Sequence, residues 1–271
     1  MESVGQRLAC HWCQAQNPPD RTTCLVCGAP LSVADVVSDS GWREAPKLRD
    51  MTEINFGQGS TCQVEGEIVP IAELKLSQGD AVFFEHHILL WKDEELAISS
   101  MSLPGGIKRL FGGMPFRVTV GQGPGRLALS RDATGEIVVM PLLPGVELDV
   151  REHAFLMSSH TVTYSFIQIQ GLANILHGGQ GMYMDRFVTQ QYPGIVLLHG
   201  YGNVLERTLK PGESLLVEPG AFLYKDSSVT MQAERQKIQG GGMFGGGQGM
   251  YMARMTGPGR VGIQSMYVHA D

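Results

Sequence analysis

From Met51 onward the chain alternates short apolar runs with glycine and proline punctuation. Val82 and Phe84, Leu148 and Val150, and Leu215 and Val217 are apolar pairs separated by one residue. A period of two puts each pair on one face of a strand with a buried side. The strands are introduced by Gln78-Gly79, Pro144-Gly145 and Pro211-Gly212, spaced 66 and 67 residues apart. After a polar break each is followed by a second apolar run: Ile88-Leu89-Leu90, Ala154-Phe155-Leu156 and Ala221-Phe222-Leu223. The string GGQGMYM occurs unaltered at Gly178–Met184 and Gly246–Met252, 68 residues apart, with the looser Gly112-Gly113-Met114-Pro115-Phe116 before them. Gly123-Pro124-Gly125-Arg126 matches Gly257-Pro258-Gly259-Arg260, with Pro193-Gly194 as the middle equivalent. Such turns call for positive φ or a fixed φ near −65°, which glycine and proline supply. One β unit therefore recurs three times. The pattern predicts an all-β, three-repeat sandwich or prism-like domain over residues 51–271, its units arranged about a pseudo-threefold axis. Glycine, at 35 of 271 residues, lies well above its usual ~7% and argues against long helices.

The first fifty residues have a different texture. Four of the five cysteines form Cys10-x2-Cys13-x10-Cys24-x2-Cys27. Each CxxC turn sets two thiolates on one side of a tight knuckle, and two facing knuckles make a tetrahedral S4 cage that suits zinc. Pro18 and Pro19 help the intervening loop turn back, and Gly28 relieves the exit from the second knuckle. With four protein ligands and no position left for water, the expected ion is one structural Zn2+ per chain. The bland alternative is a pair of disulfides, which a chain without an export signal disfavours. His11 is out of register for a fifth ligand and reads as exposed. A segment this small cannot bury enough apolar surface to fold alone, so metal binding supplies its folding energy. Residues 1–30 are thus expected to be a zinc ribbon, and the polar, aperiodic residues 31–50 a linker in which Trp42 docks on a neighbour.

Composition narrows the function classes. A net charge of −6 does not favour a broad electrostatic grip on phosphate backbones. Trp12 offers a stacking surface for a base, but Glu2, Arg7, Asp20 and Arg21 cancel around it, so nucleic-acid binding is open and not favoured. MESVGQRLAC has no apolar run and makes a poor signal or transit peptide. No stretch approaches the ~20 apolar residues of a membrane span. The expected setting is cytoplasmic, with peripheral membrane association and a homo-oligomer both left open.

Candidate chemistry in the β domain is sparse. His86 and His87 invite a cupin-like metal site, but adjacent residues on a strand point to opposite faces. Their repeat equivalents are Glu152-His153 and Pro219-Gly220, which are turn residues. Gly121-Gln122-Gly123-Pro124-Gly125 lacks the Gly-Lys-Ser/Thr ending of a phosphate loop and reads as a β-turn. Met182-Tyr183-Met184 and Met250-Tyr251-Met252 read as strands with both faces covered rather than as a binding stripe. Cys62, alone in its region, reads as a buried, inert thiol.

Two resemblances follow from these motifs. Cys10-x2-Cys13-x3-Asn17-x6-Cys24-x2-Cys27 followed by Gly28-Ala29-Pro30-Leu31 resembles the zinc ribbons and the zinc fingers of the Ran-binding-protein-2 type. Leu8 stands where that finger has tryptophan, and Gln14-Ala15 where its ubiquitin-binding members have Thr-Phe. The stretch from about Asp50 to Val268 resembles the family called altered inheritance of mitochondria protein twenty-four. The resemblance is carried by Gly125-Arg126-Leu127-Ala128-Leu129-Ser130, Gly135-Glu136-Ile137-Val138 and Thr256-Gly257-Pro258-Gly259-Arg260-Val261-Gly262-Ile263-Gln264-Ser265. It implies a β fold related to the tryptophan RNA-binding attenuation protein, and no established catalytic residues. The function expected is a non-enzymatic zinc-binding interaction or scaffold protein with a protein partner. The alternatives are a nucleic-acid-binding module acting through the ribbon and a cupin-like metalloenzyme.

Overall fold

The structure is a computed structural model, described here for residues 7–10, 15–18, 21–29, 31, 36–48, 50–103, 117–169, 182–236 and 250–266. It is all-β: no α-helix occurs among the described residues, and no helix is long and apolar enough to cross a membrane. A small ribbon is built from β1 (Arg7–Ala9), β2 (Gln16–Asn17) and β3 (Val36–Val37). Next come β4 (Arg43–Glu44), β5 (Lys47–Leu48), β6 (Glu53–Phe56) and β7 (Ser60–Glu65).

Three consecutive sets of six strands follow. The first is β8 (Ile71–Leu76), β9 (Ala81–Phe84), β10 (Leu89–Lys92), β11 (Ala97–Ser102), β12 (Arg117–Gln122) and β13 (Gly125–Ser130). The second is β14 (Gly135–Leu142), β15 (Glu147–Arg151), β16 (Phe155–Ser159), β17 (Val162–Ile169), β18 (Met182–Thr189) and β19 (Gly194–Tyr201). The third is β20 (Val204–Leu209), β21 (Ser214–Val217), β22 (Phe222–Asp226), β23 (Thr230–Gln236), β24 (Met250–Thr256) and β25 (Gly259–Gln264).

Local chemistry recurs from set to set. Backbone hydrogen bonds from Asp80 to Ser77, Val146 to Leu143 and Glu213 to Lys210 close a four-residue turn between the first and second strands of each set. The third residue of each turn is a glycine at positive φ: Gly79 (90°), Gly145 (82°) and Gly212 (77°). That is the requirement of a type II turn, and it accounts for the recurring Gln/Pro-Gly. The third strand carries a bulge at the same place each time: between Leu89 and Trp91, Phe155 and Met157, and Phe222 and Tyr224.

The sets do not each close on themselves. Four sheets stack in order, and neighbouring sets share them. The first sheet is β10-β13-β8-β7-β6. The second joins β11-β12-β9 of the first set to β16-β19-β14 of the second, with β5 at its edge. The third joins β17-β18-β15 to β22-β25-β20, with β4 at its edge. The fourth is β21-β24-β23. Three cores fill the gaps between them. Leu74, Phe84, Leu127 and Leu197 lie between the first and second sheets. Met140, Phe155, Tyr164 and Phe187 lie between the second and third. Phe222, Val229, Met255 and Val261 lie between the third and fourth. The two inner sheets are thus covered on both faces, which is why β14 reads GEIVVMPL instead of alternating.

The alternation predicted for the second strand of each set is present: Val82, Phe84, Leu148 and Val150 are fully buried, Val217 nearly so, and Leu215 half-buried. Among the described residues no threefold closure by strand pairing is found. Among the described residues, strand pairing joins the first set to the second and the second to the third, but not the third to the first. The stretch expected to be a linker is structured along part of its length. β3 pairs with the ribbon, while β4 and β5 extend the two inner sheets. Ala45 between them enters the central core, and Arg43 and Lys47 form ion pairs with Glu206 and Glu136. Trp42 is half-buried.

Candidate metal centre

The ribbon brings three of the four expected ligands together. The thiol sulfurs of Cys10, Cys24 and Cys27 lie within 4.8 Å of one another. Cys10 sits at the end of β1, where its amide donates to Ala15 O at 2.9 Å; Cys13 and His11 are outside the described residues. Cys24 and Cys27 belong to the second knuckle. Cys24 N–H donates to Ala29 O, and Gly28 N–H donates to Cys24 O. Gly28 takes φ +72° there, with open space where a Cβ would stand, so the positive φ alone calls for glycine. The Cys10 and Cys27 sulfurs are 3.4 Å apart. That is far beyond the ~2.05 Å of a disulfide and near the about 3.8 Å edge of a tetrahedron with 2.3 Å metal–sulfur bonds. The trio could hold a metal ion.

Asn17 ties the two knuckles together, a role its place in the motif did not disclose. It is almost fully buried. Its Nδ2 donates to Leu8 O (3.3 Å) and Ala15 O (2.8 Å) and lies 3.5 Å from Cys24 Sγ, while its Oδ1 accepts from Leu25 N at 2.8 Å. Val26 N–H points at Cys24 Sγ, 3.4 Å away. Donors aimed at a sulfur stabilise its thiolate form and orient it.

The β domain's candidates take quieter places. His86 and His87 open a single 3-10 turn, His86–Ile88, whose counterpart is Pro219–Ala221. They lie on a turn and not on a strand. His87 is half-exposed and 3.4 Å from Glu85. His153 sits in the middle unit's turn at φ +68°. Cys62 is fully buried, and burial pushes its thiol up to about 12, as suits an inert side chain. The Gly-Pro-Gly-Arg stretches are strand-connecting turns. Arg126 and Arg260 donate their backbone N–H groups to Asp93 and Asp226 and pair with the same carboxylates through their side chains. In the middle set Ser159 Oγ accepts from Ile195 N in their place. Gly179 and Gly247 lie outside the described residues. In the two Met-Tyr-Met strands Met184 is buried, Tyr183 and Met252 are half-buried, and Tyr251 is exposed. A cleft of about 300 Å³ is lined by Lys47, Asp50, Glu67 and Glu136, and its Lys47 is already 2.6 Å from Glu136.

Several buried charges lie where the sets meet. At the first junction Arg131 donates to Glu85 (3.1 Å) and to Phe155 O (2.9 Å). At the second, Asp149, with no exposed surface, accepts from Lys225 (2.6 Å) and from Arg186 (2.6 and 3.0 Å), and Arg151 donates to Gly220 O. The bond to Asp149 outweighs burial and holds the Arg186 guanidinium above its ordinary pKa. Glu206, also buried, gathers Arg43, Arg260 and the Tyr224 hydroxyl. Burial first, then Glu206, drives the Tyr224 phenol well above its usual range. His199 is buried with Nε2 3.2 Å from Ala133 O, and burial, then Arg131, lowers it to about 4. A sequence signal existed for one of these ties. Asp149 stands where the sister strands carry Phe83 and Leu216, and a carboxylate at an apolar repeat position demands a buried partner.

A solved Streptococcus pyogenes protein superposes on this chain with a TM-score of 0.57 at 17% identity, covering 77% of this chain and 94% of its own, a likeness of fold. No curated protein sequence matches the chain. Residues 62–266, which span all three sets of strands, match the family described as Mitochondrial biogenesis AIM24, the family that the glycine-rich motifs at Gly125, Gly135 and Thr256 resemble, and the chain belongs to that family.

Proposed function

We propose that the chain is a non-enzymatic, zinc-binding interaction or scaffold protein of the AIM24 family. Its β domain serves as a rigid platform, and its ribbon is a folded appendage stabilised by one structural Zn2+. The observation that carries the reading is the convergence of Cys10, Cys24 and Cys27, with Asn17 locking the two knuckles around them. An all-thiolate set suits zinc above harder cations, and the Cys10-x2-Cys13 spacing offers Cys13 as the fourth ligand of a closed S4 shell. A cytoplasmic setting, where thiols stay reduced, agrees with such a site. In the β domain buried pairs such as Arg131–Glu85 and Lys225–Asp149 tie neighbouring sets together, which suits a rigid platform. The histidines that suggested a cupin-like centre fall at a turn where the third unit has Pro219-Gly220.

Elemental analysis of the purified chain tests this. One zinc per chain is expected, lost in Cys24→Ser and retained when His86, His87 and His153 are together replaced by alanine. Metal that survives Cys24→Ser and disappears with the histidines would overturn the reading in favour of a metalloenzyme.

A further inference from the structure

The two junctions inside the chain share one construction and one register. At the first, β9 pairs antiparallel with β16, Met157 opposite Phe84 and Ser159 opposite Val82. At the second, β15 pairs with β22, Tyr224 opposite Val150 and Asp226 opposite Leu148. Each junction joins the second strand of one set to the third strand of the next, and one copy of each half is left over. β21 is the counterpart of β9 and β15, and among the described residues it is hydrogen-bonded to β24 alone. β10 is the counterpart of β16 and β22, down to the shared bulge, and among the described residues it is hydrogen-bonded to β13 alone. Among the described residues the stack therefore ends in two different, complementary open edges.

Burial shows what is missing. In the made junctions Leu156, Met157, Leu223 and Tyr224 have no exposed surface. Their counterparts on β10, Leu90 and Trp91, are 53% and 39% exposed. On β21, Leu215 is half-buried where Val82 and Leu148 are fully buried, and Leu216 is half-buried where Phe83 is also half-buried and Asp149 fully buried. The β21 edge is not blunted in the usual way: it reads Ser-Leu-Leu-Val, with no proline and no charge, while β10 reads Leu-Leu-Trp-Lys and carries one charge, Lys92, at its end.

We propose that β10 of one copy of this chain is paired by β21 of a second copy, head to tail, in the register of the internal junctions. Trp91 then lies opposite Val217, Lys92 opposite Leu216 and Asp93 opposite Leu215. The internal junctions place Ser158 opposite Phe83 and Lys225 opposite Asp149 at the Lys92 position, so no like charges meet there. The contact uses unlike surfaces, and every added copy presents a fresh edge. The assembly closes as a ring or continues as a filament. The proposal goes beyond the scaffold reading and stands whether or not the ribbon holds zinc.

Sedimentation velocity and native mass spectrometry of the full chain, from about 1 to about 100 µM, test it in the range where specific protein pairs associate. Oligomers that grow with concentration are expected. Trp91→Asp blocks the β10 edge and Leu216→Arg blocks the β21 edge. Each variant alone should associate at least about tenfold more weakly, as expected when a central interface residue is lost. Mixed one to one, they should form a heterodimer, because each retains the edge the other lacks. In the wild-type chain, amide protection at residues 89–92 and 214–217 should rise with concentration, which needs no variant to fold. A monomer at every concentration, association that leaves exchange at these strands as fast as in the monomer, or two folded variants that fail to pair on mixing would overturn the proposal.

Discussion

Asp149→Ala should be among the most damaging single changes in the β domain. The carboxylate has no exposed surface and accepts from Lys225 at 2.6 Å and from Arg186 at 2.6 and 3.0 Å. Arg186 is partly exposed and keeps Glu147 at 3.1 Å, so it loses one partner of two. Lys225 is only 4–5% exposed, and beyond Asp149 it has the carbonyl of Asp226 at 3.5 Å. Removing Asp149 leaves an ammonium buried without its carboxylate, which costs about 3–5 kcal/mol. At about 2–4 °C per kcal/mol for a domain of this size, the Tm should fall by about 6–20 °C. Urea unfolding followed by circular dichroism measures the loss directly. Asp149→Ala/Lys225→Met should recover most of it, because the second change removes the stranded charge. A loss below about 1 kcal/mol in the single variant, or a double variant no more stable than the single, would refute the claim that this pair governs the junction.

Two further outcomes follow from buried titratable groups. His199 is held neutral in the folded chain with its pKa lowered from 6.5 to about 4, so the unfolded chain binds the proton more readily. Its stabilising contribution is complete above pH ~6.5 and is lost as pH falls toward 4, by at most about 3 kcal/mol. His199→Gln, which copies Gln264 at the equivalent position, should flatten the dependence of stability on pH across that window; equal slopes in variant and wild type would refute this assignment. Cys62, pushed up to about 12 by burial, should resist iodoacetamide at pH 8 in the native chain and react fully in urea, as read by mass spectrometry. Rapid native labelling would show that the first core opens far more readily than its packing implies.

Much of this architecture was legible in the amino-acid order because it rests on local chemistry. The period-two pairs Val82/Phe84 and Leu148/Val150 became buried strand faces. Gly79, Gly145 and Gly212 took the positive φ that their turns require. The spacing of Cys10, Cys24 and Cys27 brought the three sulfurs together, since a knuckle is closed by residues adjacent in the chain. Such features depend on backbone conformation and on neighbours within a few residues, which one sequence records. Tertiary structure alone decided which strand of each unit pairs with its neighbour, and so which edges remain open. It also drew β4 and β5 out of an apparently polar linker into the inner sheets, where Arg43 and Lys47 find Glu206 and Glu136 across more than eighty residues. The register that sets Asp149 against Lys225 belongs to the same class. These are long-range choices between sheet edges whose hydrogen-bonding groups are chemically alike. They are settled by which apolar faces can be covered at once, and no local pattern along the chain encodes that.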